Sequence, residues 1–277
     1  MIKLNKTEDN LKKIIDTLNK RGFILEDKTY KILSESCIIN EIEKSKPLIN
    51  PVDGSGTEID LFIKTENKIL VVECKRTDYS WFFPKNTGKM DRINFIIDTN
   101  NGIRTNSRET NDFKVVYSDL ALKLDETGKV SLKSDKITVE TSYKDVNDHI
   151  YQIIRGIQIY LRGLKTPDDR FLNKSLIPII VTNASLFIIE YSYEELDANG
   201  DMKNHQKINE VPYLAYNYPQ ILGWDRSQIV GHVGTRNIED SEHLKTVFVV
   251  NIERLKDFIN VLLLQDNYNN EEINRKR

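Results

Sequence analysis

Apolar residues at helical spacing occur near both ends of the chain and in its middle. The first apolar stripe consists of Leu11, Ile14, Ile15 and Leu18. These residues follow one another at intervals of three and four positions, the spacing of one helix face. A longer stripe of the same kind extends from Ile150 to Leu161. The pattern predicts helices at residues 8–20, 25–34, 146–164 and 252–264.

Between these helices the apolar pattern alternates or becomes continuous, which predicts strands. The predicted strands are residues 59–63, 68–75, 176–181, 185–190 and 246–251. A short turn near Glu66-Asn67 makes the first two a hairpin. The long polar region 76–148 contains two weaker strand candidates, 114–117 and 136–141. Because a hairpin accompanies alternating helices and strands, we expect an α/β fold with a mixed sheet flanked by helices.

Composition narrows the class of protein. The chain has 277 residues, of which 39% are hydrophobic and 30% are charged, and its formal net charge is -2. These values exclude a disordered or collagen-like chain. The sequence contains no long apolar run and no secretory signal, and its two cysteines, Cys37 and Cys74, show no CxxC spacing. We therefore expect a protein of the reducing cytoplasm without a membrane partner.

The predicted hairpin carries the residues whose side chains could bind a metal ion or catalyse a reaction. Asp60 lies on its first strand, and Glu73 and Lys75 lie two positions apart at the end of the second. If the turn is centred between Glu66 and Asn67, Asp60 lies directly opposite Glu73, whereas a slip of one residue would send the two acids to opposite faces. Like charges at opposed positions are destabilising, so a divalent cation between the two carboxylates is expected.

In the same register Glu58 lies opposite Lys75, which makes an ion pair with Lys75 a simpler role for Glu58 than metal binding. Two carboxylates and a lysine suit hydrolysis of a phosphodiester. Mg²⁺ is usually bound by one or two carboxylates together with substrate phosphate, and it makes a bound water more acidic. The lysine can orient the attacking water or stabilise the developing charge.

Asp60, twelve intervening residues and then Glu73-Cys74-Lys75 resemble the PD-(D/E)XK nuclease superfamily, which has the restriction-endonuclease-like fold. Ile59 stands where the oldest form of the motif has proline. The resemblance implies an αβββαβ core and a nuclease that uses Mg²⁺, with Mn²⁺ expected to substitute, and acts on duplex or branched DNA. It also implies that the backbone carbonyl of Cys74 completes the metal shell.

Many members of that family add two further site residues. The first is a glutamate on the helix before the hairpin, for which Glu26 is preferred over Glu35 because Glu26 shares the inward helix face. The second is a glutamine on the later helix, for which Gln152 is preferred over Gln158. A purely structural role stays open for both residues. Glu26 would then be an acid favoured at the helix N-terminus, and Gln152 an ordinary polar residue on a helix flank.

The resemblance covers about residues 22–190. We expect one nuclease domain over residues 1–277, with an N-terminal helix in 1–21 and a C-terminal extension in 191–277. A basic and aromatic stretch directly follows Lys75, and its aromatic residues are Tyr79, Trp81, Phe82 and Phe83. These residues either contact DNA or form a packed cluster that anchors a loop. The four histidines show no metal-binding spacing.

The sequence thus predicts a divalent-metal-dependent DNA endonuclease of restriction, defence or repair type. Because many relatives act as pairs, a homodimer is an alternative to a monomer. Two other classes stay open. One is a catalytically inactive nucleic-acid-binding module of the same fold within a larger assembly. The other is an α/β scaffold whose acids form surface ion pairs.

Overall fold

The structure is a computed structural model, and it describes residues 8–20, 22–36, 39–77, 79–99, 102–117, 122–125, 139–164, 174–202, 207–219 and 244–264. In these ranges the chain forms four α-helices: α1 (Glu8–Lys20), α2 (Phe23–Ser34), α3 (Val139–Gly163) and α4 (Leu255–Leu264). None of the helices in the described ranges is long and apolar enough to cross a bilayer.

Thirteen strands accompany the helices in the described ranges. They are β1 (Glu41–Ile49), β2 (Gly56–Lys64), β3 (Lys68–Lys75), β4 (Tyr79–Asn86), β5 (Arg92–Thr99), β6 (Gly102–Glu109), β7 (Val115–Tyr117), β8 (Leu122–Asp125), β9 (Ser175–Thr182), β10 (Leu186–Tyr191), β11 (Lys207–Val211), β12 (Tyr213–Pro219) and β13 (Leu244–Asn251). A large mixed sheet has the order β1-β2-β3-β9-β13-β12-β7, with β5 joining β9 and β6 joining β5. A smaller sheet has the order β11-β10-β4-β8. The expected mixed α/β architecture is confirmed.

The chain order α2-β1-β2-β3-α3-β9 builds the part of the sheet that carries the predicted site. β1, β2 and β3 form an antiparallel meander, and β9 then lies parallel to β3. β13 extends this parallel portion on the far side of β9. The carboxyl ends of β3, β9 and β13 therefore meet at one edge of the sheet, where Lys75, Thr182 and Asn251 lie in one row.

Helices cover the large sheet on both faces because the central strands are apolar on both sides. α3 and the smaller sheet bury one face, through residues that include Ile153, Ile157, Trp81 and Leu186. α2 and α4 bury the other face, through residues that include Leu25, Leu33, Phe258 and Leu262. Each such side chain stabilises the fold by about 1.5–3 kcal/mol relative to exposure. Strand β3 is thus central and not a solvated edge strand.

A glycine brings α3 close to the sheet. A β-carbon built on Gly156 would lie 3.1 Å from Cγ1 of Ile59 on β2, which is tighter than ordinary van der Waals contact. One turn later Tyr160 packs its ring against Phe62, with 5.0 Å between ring centroids. Helix α3 therefore rests on β2 with its backbone close to the strand.

The helical pattern predicts most of the helix positions. Helix α1 has the predicted bounds, but its apolar stripe is 40–55% exposed. Helix α3 begins at Val139, so the strand candidate 136–141 is wrong from residue 139 onward, and residues 136–138 lie outside the described residues. The segment 252–254 is a 3₁₀ turn that leads into α4. The predicted helix at 25–34 starts earlier, at Phe23.

The apolar pattern does not predict the strands that lie in polar stretches of the chain. β1 lies at the sheet edge with most of its side chains partly exposed, so its apolar period is weak. The region 76–148 contributes β5 and β6 to the large sheet and β4 and β8 to the smaller one. Only the weak candidate 114–117 in this region is confirmed, as β7. β11 and β12 likewise form where the pattern predicts polar connections.

Candidate active site at the sheet edge

The register of the β2–β3 hairpin is the predicted one, with Leu61 opposite Val72 and Lys64 opposite Ile69. Continued by one residue, this register brings Asp60 across from Glu73. The ladder ends at Leu61–Val72, however, and Oδ2 of Asp60 accepts a hydrogen bond of 2.7 Å from the backbone N–H of Cys74. The carboxylate of Asp60 therefore takes the place of a strand-to-strand hydrogen bond at the end of β3.

Strand β2 is irregular at Asp60 on its other side as well. Lys44 and Lys46 of β1 pair with Leu61 and Ile59, but no pair forms between them at Asp60. Ser45, which would face Asp60, has a φ of 49°, in the left-handed region that L residues rarely adopt. Such strain is often stored at functional sites. The hydrophobic pattern carries no signal for it.

Strict alternation along β2 predicts that Ile59 shares a face with Leu61. This prediction is wrong, because Ile59 packs on the α3 face together with Phe62, whereas Leu61 packs on the α2 face. The change of face occurs at Asp60, where the pairing with β1 is interrupted. The predicted alternation of β3 holds, since Val72 and Cys74 lie on the α2 face and Val71 lies on the α3 face.

Lys75 connects β3 with α3. Its Nζ donates a hydrogen bond of 2.5 Å to Oε1 of Glu73 and another of 3.0 Å to Oε1 of Gln152. Gln152, and not Gln158, is therefore the glutamine beside Lys75. The predicted Glu58–Lys75 cross-strand pair does not form, because the β2–β3 ladder ends at Leu61–Val72.

Glu73 is a buried acid close to a second acid. Its residue exposure is 1%, and burial together with the negative charge of Asp60 raises its pKa to about 7, against the lowering effect of Lys75. Burial also raises the pKa of Asp60, while the Cys74 N–H and Lys75 lower it. Near neutral pH the pair therefore resists holding two full negative charges, a cost that a bound cation would relieve.

Glu26 on α2 is a third acidic residue near Asp60 and Glu73. Burial raises the pKa of Glu26, and the charges of Asp60 and Glu58 raise it further, whereas Lys44 and Lys75 lower it. Glu26 thus lies within electrostatic range of the hairpin residues. Glu35 lies at the opposite end of α2, where it is exposed and lines a groove beside α4. The structure therefore brings Glu26, and not Glu35, to the site.

Asp60 and Glu73 supply the hard oxygen donors that Mg²⁺ prefers. Among the described residues no set of three or more His, Cys, Asp and Glu side chains forms a metal-binding group. Two carboxylates are nevertheless a usual protein contribution to a Mg²⁺ site, with water and phosphate as the remaining ligands. Cys74 is buried and burial raises the pKa of its thiol, which stays protonated. Its backbone carbonyl stays a predicted ligand.

Two asparagine side chains form hydrogen bonds with the backbone at the sheet edge next to Lys75. The side chain of Asn183 accepts a hydrogen bond of 2.8 Å from the Thr77 N–H and donates one of 2.7 Å to the Thr77 carbonyl. Asn251 donates a similar bond of 2.7 Å to the carbonyl of Ala184. The first pair holds the chain that leaves β3 just after Lys75. Sequence reasoning misses this role, because the partners are distant in the chain.

The aromatic stretch after Lys75 is mainly structural. Trp81 and Phe83 are completely buried in β4, and Phe82 stacks on Phe187 with 4.7 Å between centroids. His149 stacks on Trp81, in keeping with a structural histidine. Tyr79 alone of the four aromatic residues is largely exposed, at 46%. The packing that this alternative predicts is therefore confirmed for Trp81 and Phe83, but the two residues lie on strand β4 and not beside a loop. Contact with DNA stays a prediction for Tyr79.

Two cavities formed by described residues have none of Asp60, Glu73, Lys75 and Gln152 in their lining. One of about 510 Å³ lies between the β11–β12 corner and the start of α4, where Tyr213 and Arg254 line it. The other, of about 150 Å³, is the groove between α2 and α4.

Comparison of the chain with protein-family models, with curated proteins and with solved structures finds no match.

Proposed function

We propose that this protein is a divalent-metal-dependent nuclease that hydrolyses phosphodiester bonds in DNA, as an endonuclease of restriction, defence or repair type. The observation that carries the proposal is the arrangement around Lys75. Its ammonium group contacts both Glu73 of its own strand and Gln152 of α3, while Asp60 of the neighbouring strand binds the Cys74 amide. Two acids, a lysine and a glutamine from three elements thus meet at one sheet edge.

The order of elements supports the same proposal. A helix, an antiparallel meander of three strands, a second helix and a strand parallel to β3 occur in the order αβββαβ, with the strands β4–β8 inserted between β3 and α3. This is the order implied by the resemblance to the restriction-endonuclease-like fold. The two acids also lie on the second and third strands of that meander, the positions that the PD-(D/E)XK motif requires.

The residues fit a divalent cation. Asp60 and Glu73 would hold it, because both are oxygen donors and because the charge of Asp60, together with burial, makes the ionised form of Glu73 costly and raises its pKa to about 7. When bound, a divalent ion supplies neutralisation of charge on the phosphate oxygens and a more acidic water. Glu26 adds a third carboxylate from α2, within electrostatic range of the other two.

Lys75 and Gln152 would act on the reacting water and the phosphate. The Lys75 ammonium can donate a hydrogen bond to the attacking water or to a phosphate oxygen on which negative charge increases. Glu73 and the Gln152 amide oxygen accept two of the three Lys75 donors and so fix the direction of the third. Gln152 is therefore a positioning residue for Lys75.

Cleavage of defined DNA tests the proposal. Single-stranded, duplex and branched DNA would each be incubated with the protein and Mg²⁺ or Mn²⁺, beside Lys75→Ala and a sample with chelator. We expect cleavage by the wild type with metal and, on the order of magnitude usual for loss of a transition-state donor, about a hundredfold slower cleavage by Lys75→Ala. Equal cleavage by both proteins would show that the activity belongs to a contaminant or to another site.

One observation favours a second function, an inactive nucleic-acid-binding module. In the structure the Lys75 ammonium donates a hydrogen bond of 2.5 Å to Glu73. Lys75 therefore supplies a positive charge beside the two acids, and a metal ion is not needed for that purpose. Calorimetric titration with Mg²⁺ or Mn²⁺ separates the two functions. A nuclease site is expected to bind either ion more tightly in the wild type than in Asp60→Ala, whereas an inactive module would show no difference.

A further inference from the structure

Arg155 lies on the same face of α3 as Gln152. The two residues are three positions apart, which places their β-carbons about 5–6 Å from each other. Gln152 contacts Lys75, so Arg155 belongs to the same rim of the sheet edge. Its side chain is exposed, and Nη2 donates a hydrogen bond of 3.2 Å to Oγ of Ser55, just before β2.

The surroundings of Ser55 are open. Ser55 lies between Gly54 and Gly56. A β-carbon on Gly54 would meet no atom within 4 Å, and one on Gly56 would meet only the Leu48 carbonyl, at 3.8 Å. Gly54 also has a φ of 71°, which favours glycine. Two neighbours without side chains let a ligand come close to the Ser55 hydroxyl and to Arg155.

The chemistry of the two side chains suits a phosphate. A guanidinium group has five N–H donors in a planar fork that matches phosphate oxygens, and serine hydroxyls are common phosphate contacts in DNA complexes. Asp53 is the acid of this turn. Hydrogen bonds from Ser55 lower the pKa of Asp53, and the charge of Arg155 lowers it slightly further. With a net charge of -2, the chain needs such local contacts to hold a polyanion.

We propose that Arg155 and Ser55 form a subsite for a DNA phosphate next to the one that is cleaved. The inference rests on the proposed function, because the neighbouring Lys75–Gln152 pair defines where the cleaved phosphate lies. Arg155 lies one helical turn from Gln152, which contacts Lys75, so the subsite would hold a phosphate close to the one beside Lys75.

The salt dependence of DNA binding tests the subsite without using cleavage. Affinity for a short DNA duplex would be measured over a range of salt concentrations, with full-length chains that all carry Glu73→Gln to prevent turnover. Loss of one phosphate contact lowers the slope of log affinity against log salt by about 0.9. We expect that reduction for Arg155→Gln, no reduction for Arg155→Lys, and weaker binding for Ser55→Ala.

Lys207→Gln is the matched control, because Lys207 is an equally charged side chain that is 73% exposed on β11. It is expected to keep the full slope. A slope for Arg155→Gln equal to that of the control, or no duplex binding at all, overturns the subsite. If Arg155→Gln lowers the slope but the wild type with Mg²⁺ cleaves no DNA, the subsite stands and the proposed nuclease activity fails.

Discussion

The ammonium group of Lys75 at the end of β3 donates a hydrogen bond of 3.0 Å to the amide oxygen of Gln152 on α3, although the two residues are 77 positions apart in the chain. The contact joins the strand that carries the acid–lysine pair to the helix that packs over it. A lysine has many side-chain rotamers of similar energy, so a fixed acceptor on a neighbouring element decides where its charge lies.

Removal of that acceptor is the first prediction. In Gln152→Ala the Lys75 ammonium loses its contact with α3 and keeps only Glu73. We expect metal-dependent cleavage to slow by about 10–100-fold, the usual effect of losing a residue that orients a catalytic group. Single-turnover cleavage of duplex DNA measures the rate. Gln158→Ala, a change at the buried glutamine six positions later, serves as control, and equal loss of rate in both variants would contradict the role of Gln152.

The second prediction concerns the pH dependence of stability. The pKa of Glu73 is raised from 4.5 to about 7 in the folded protein, so between these values the folded state binds more protons than the unfolded state. The contribution of Glu73 to stability is therefore full below about pH 4.5 and is lost as the pH rises to about 7. At 1.36 kcal/mol per pH unit the loss amounts to about 3 kcal/mol.

Chemical denaturation of the wild type and of Glu73→Gln over this pH range measures the effect. The free energy of unfolding of the wild type is expected to fall relative to that of Glu73→Gln as the pH rises, in buffer with chelator. Added Mg²⁺ should reverse the fall, because a bound divalent cation would neutralise the charge that Glu73 gains beside Asp60. Parallel curves for the two proteins would mean that Glu73 titrates as an ordinary surface acid.

The sequence predicted the hairpin and its acids well for physical reasons. A short turn determines the register of an antiparallel pair, so the alignment of β2 with β3 follows from the position of Glu66-Asn67, although the ladder ends one residue before Asp60 and Glu73. The irregularity at Ser45 could not be predicted, because a single serine at positive φ leaves no trace in a hydrophobic pattern. For the same reason the position of Ile59 on the α3 face was missed.

Other parts of the fold depend on long-range contacts that local patterns do not show. β4 mixes the buried residues Trp81 and Phe83 with Lys85, which is itself buried because it pairs with Asp91 and with the carbonyl of Val115. In the sequence, charged residues such as Lys85 usually indicate a solvent-exposed loop, so the pattern does not predict that this ion pair lies in a buried strand. Gln152 was selected through the family resemblance, but its contact with Lys75 depends on how closely α3 approaches the sheet.

The third prediction separates the two roles of Asp60. Its carboxylate accepts the Cys74 N–H and contributes negative charge to the acid pair. Asp60→Asn keeps an acceptor oxygen and removes the charge, whereas Asp60→Ala leaves a part-buried N–H without its partner at a cost of about 1–3 kcal/mol. Thermal unfolding is expected to show Asp60→Ala less stable than Asp60→Asn, and neither variant should gain stability from Mg²⁺. Equal stabilisation by Mg²⁺ in wild type and Asp60→Asn would exclude Asp60 as a ligand.

The last prediction concerns the close approach of α3 to β2. Because a β-carbon on Gly156 would lie 3.1 Å from Ile59 Cγ1, Gly156→Leu must push the helix away from the strand. Overpacking of this kind costs about 1–3 kcal/mol, and the displaced helix carries Gln152 away from Lys75. Gly163→Leu on the same helix is the matched control, since a β-carbon there meets no atom within 4 Å. We expect Gly156→Leu to lower both the melting temperature and the rate of cleavage, and Gly163→Leu to change neither. Normal cleavage by a folded Gly156→Leu protein would show that the spacing of α3 and β2 does not position the site.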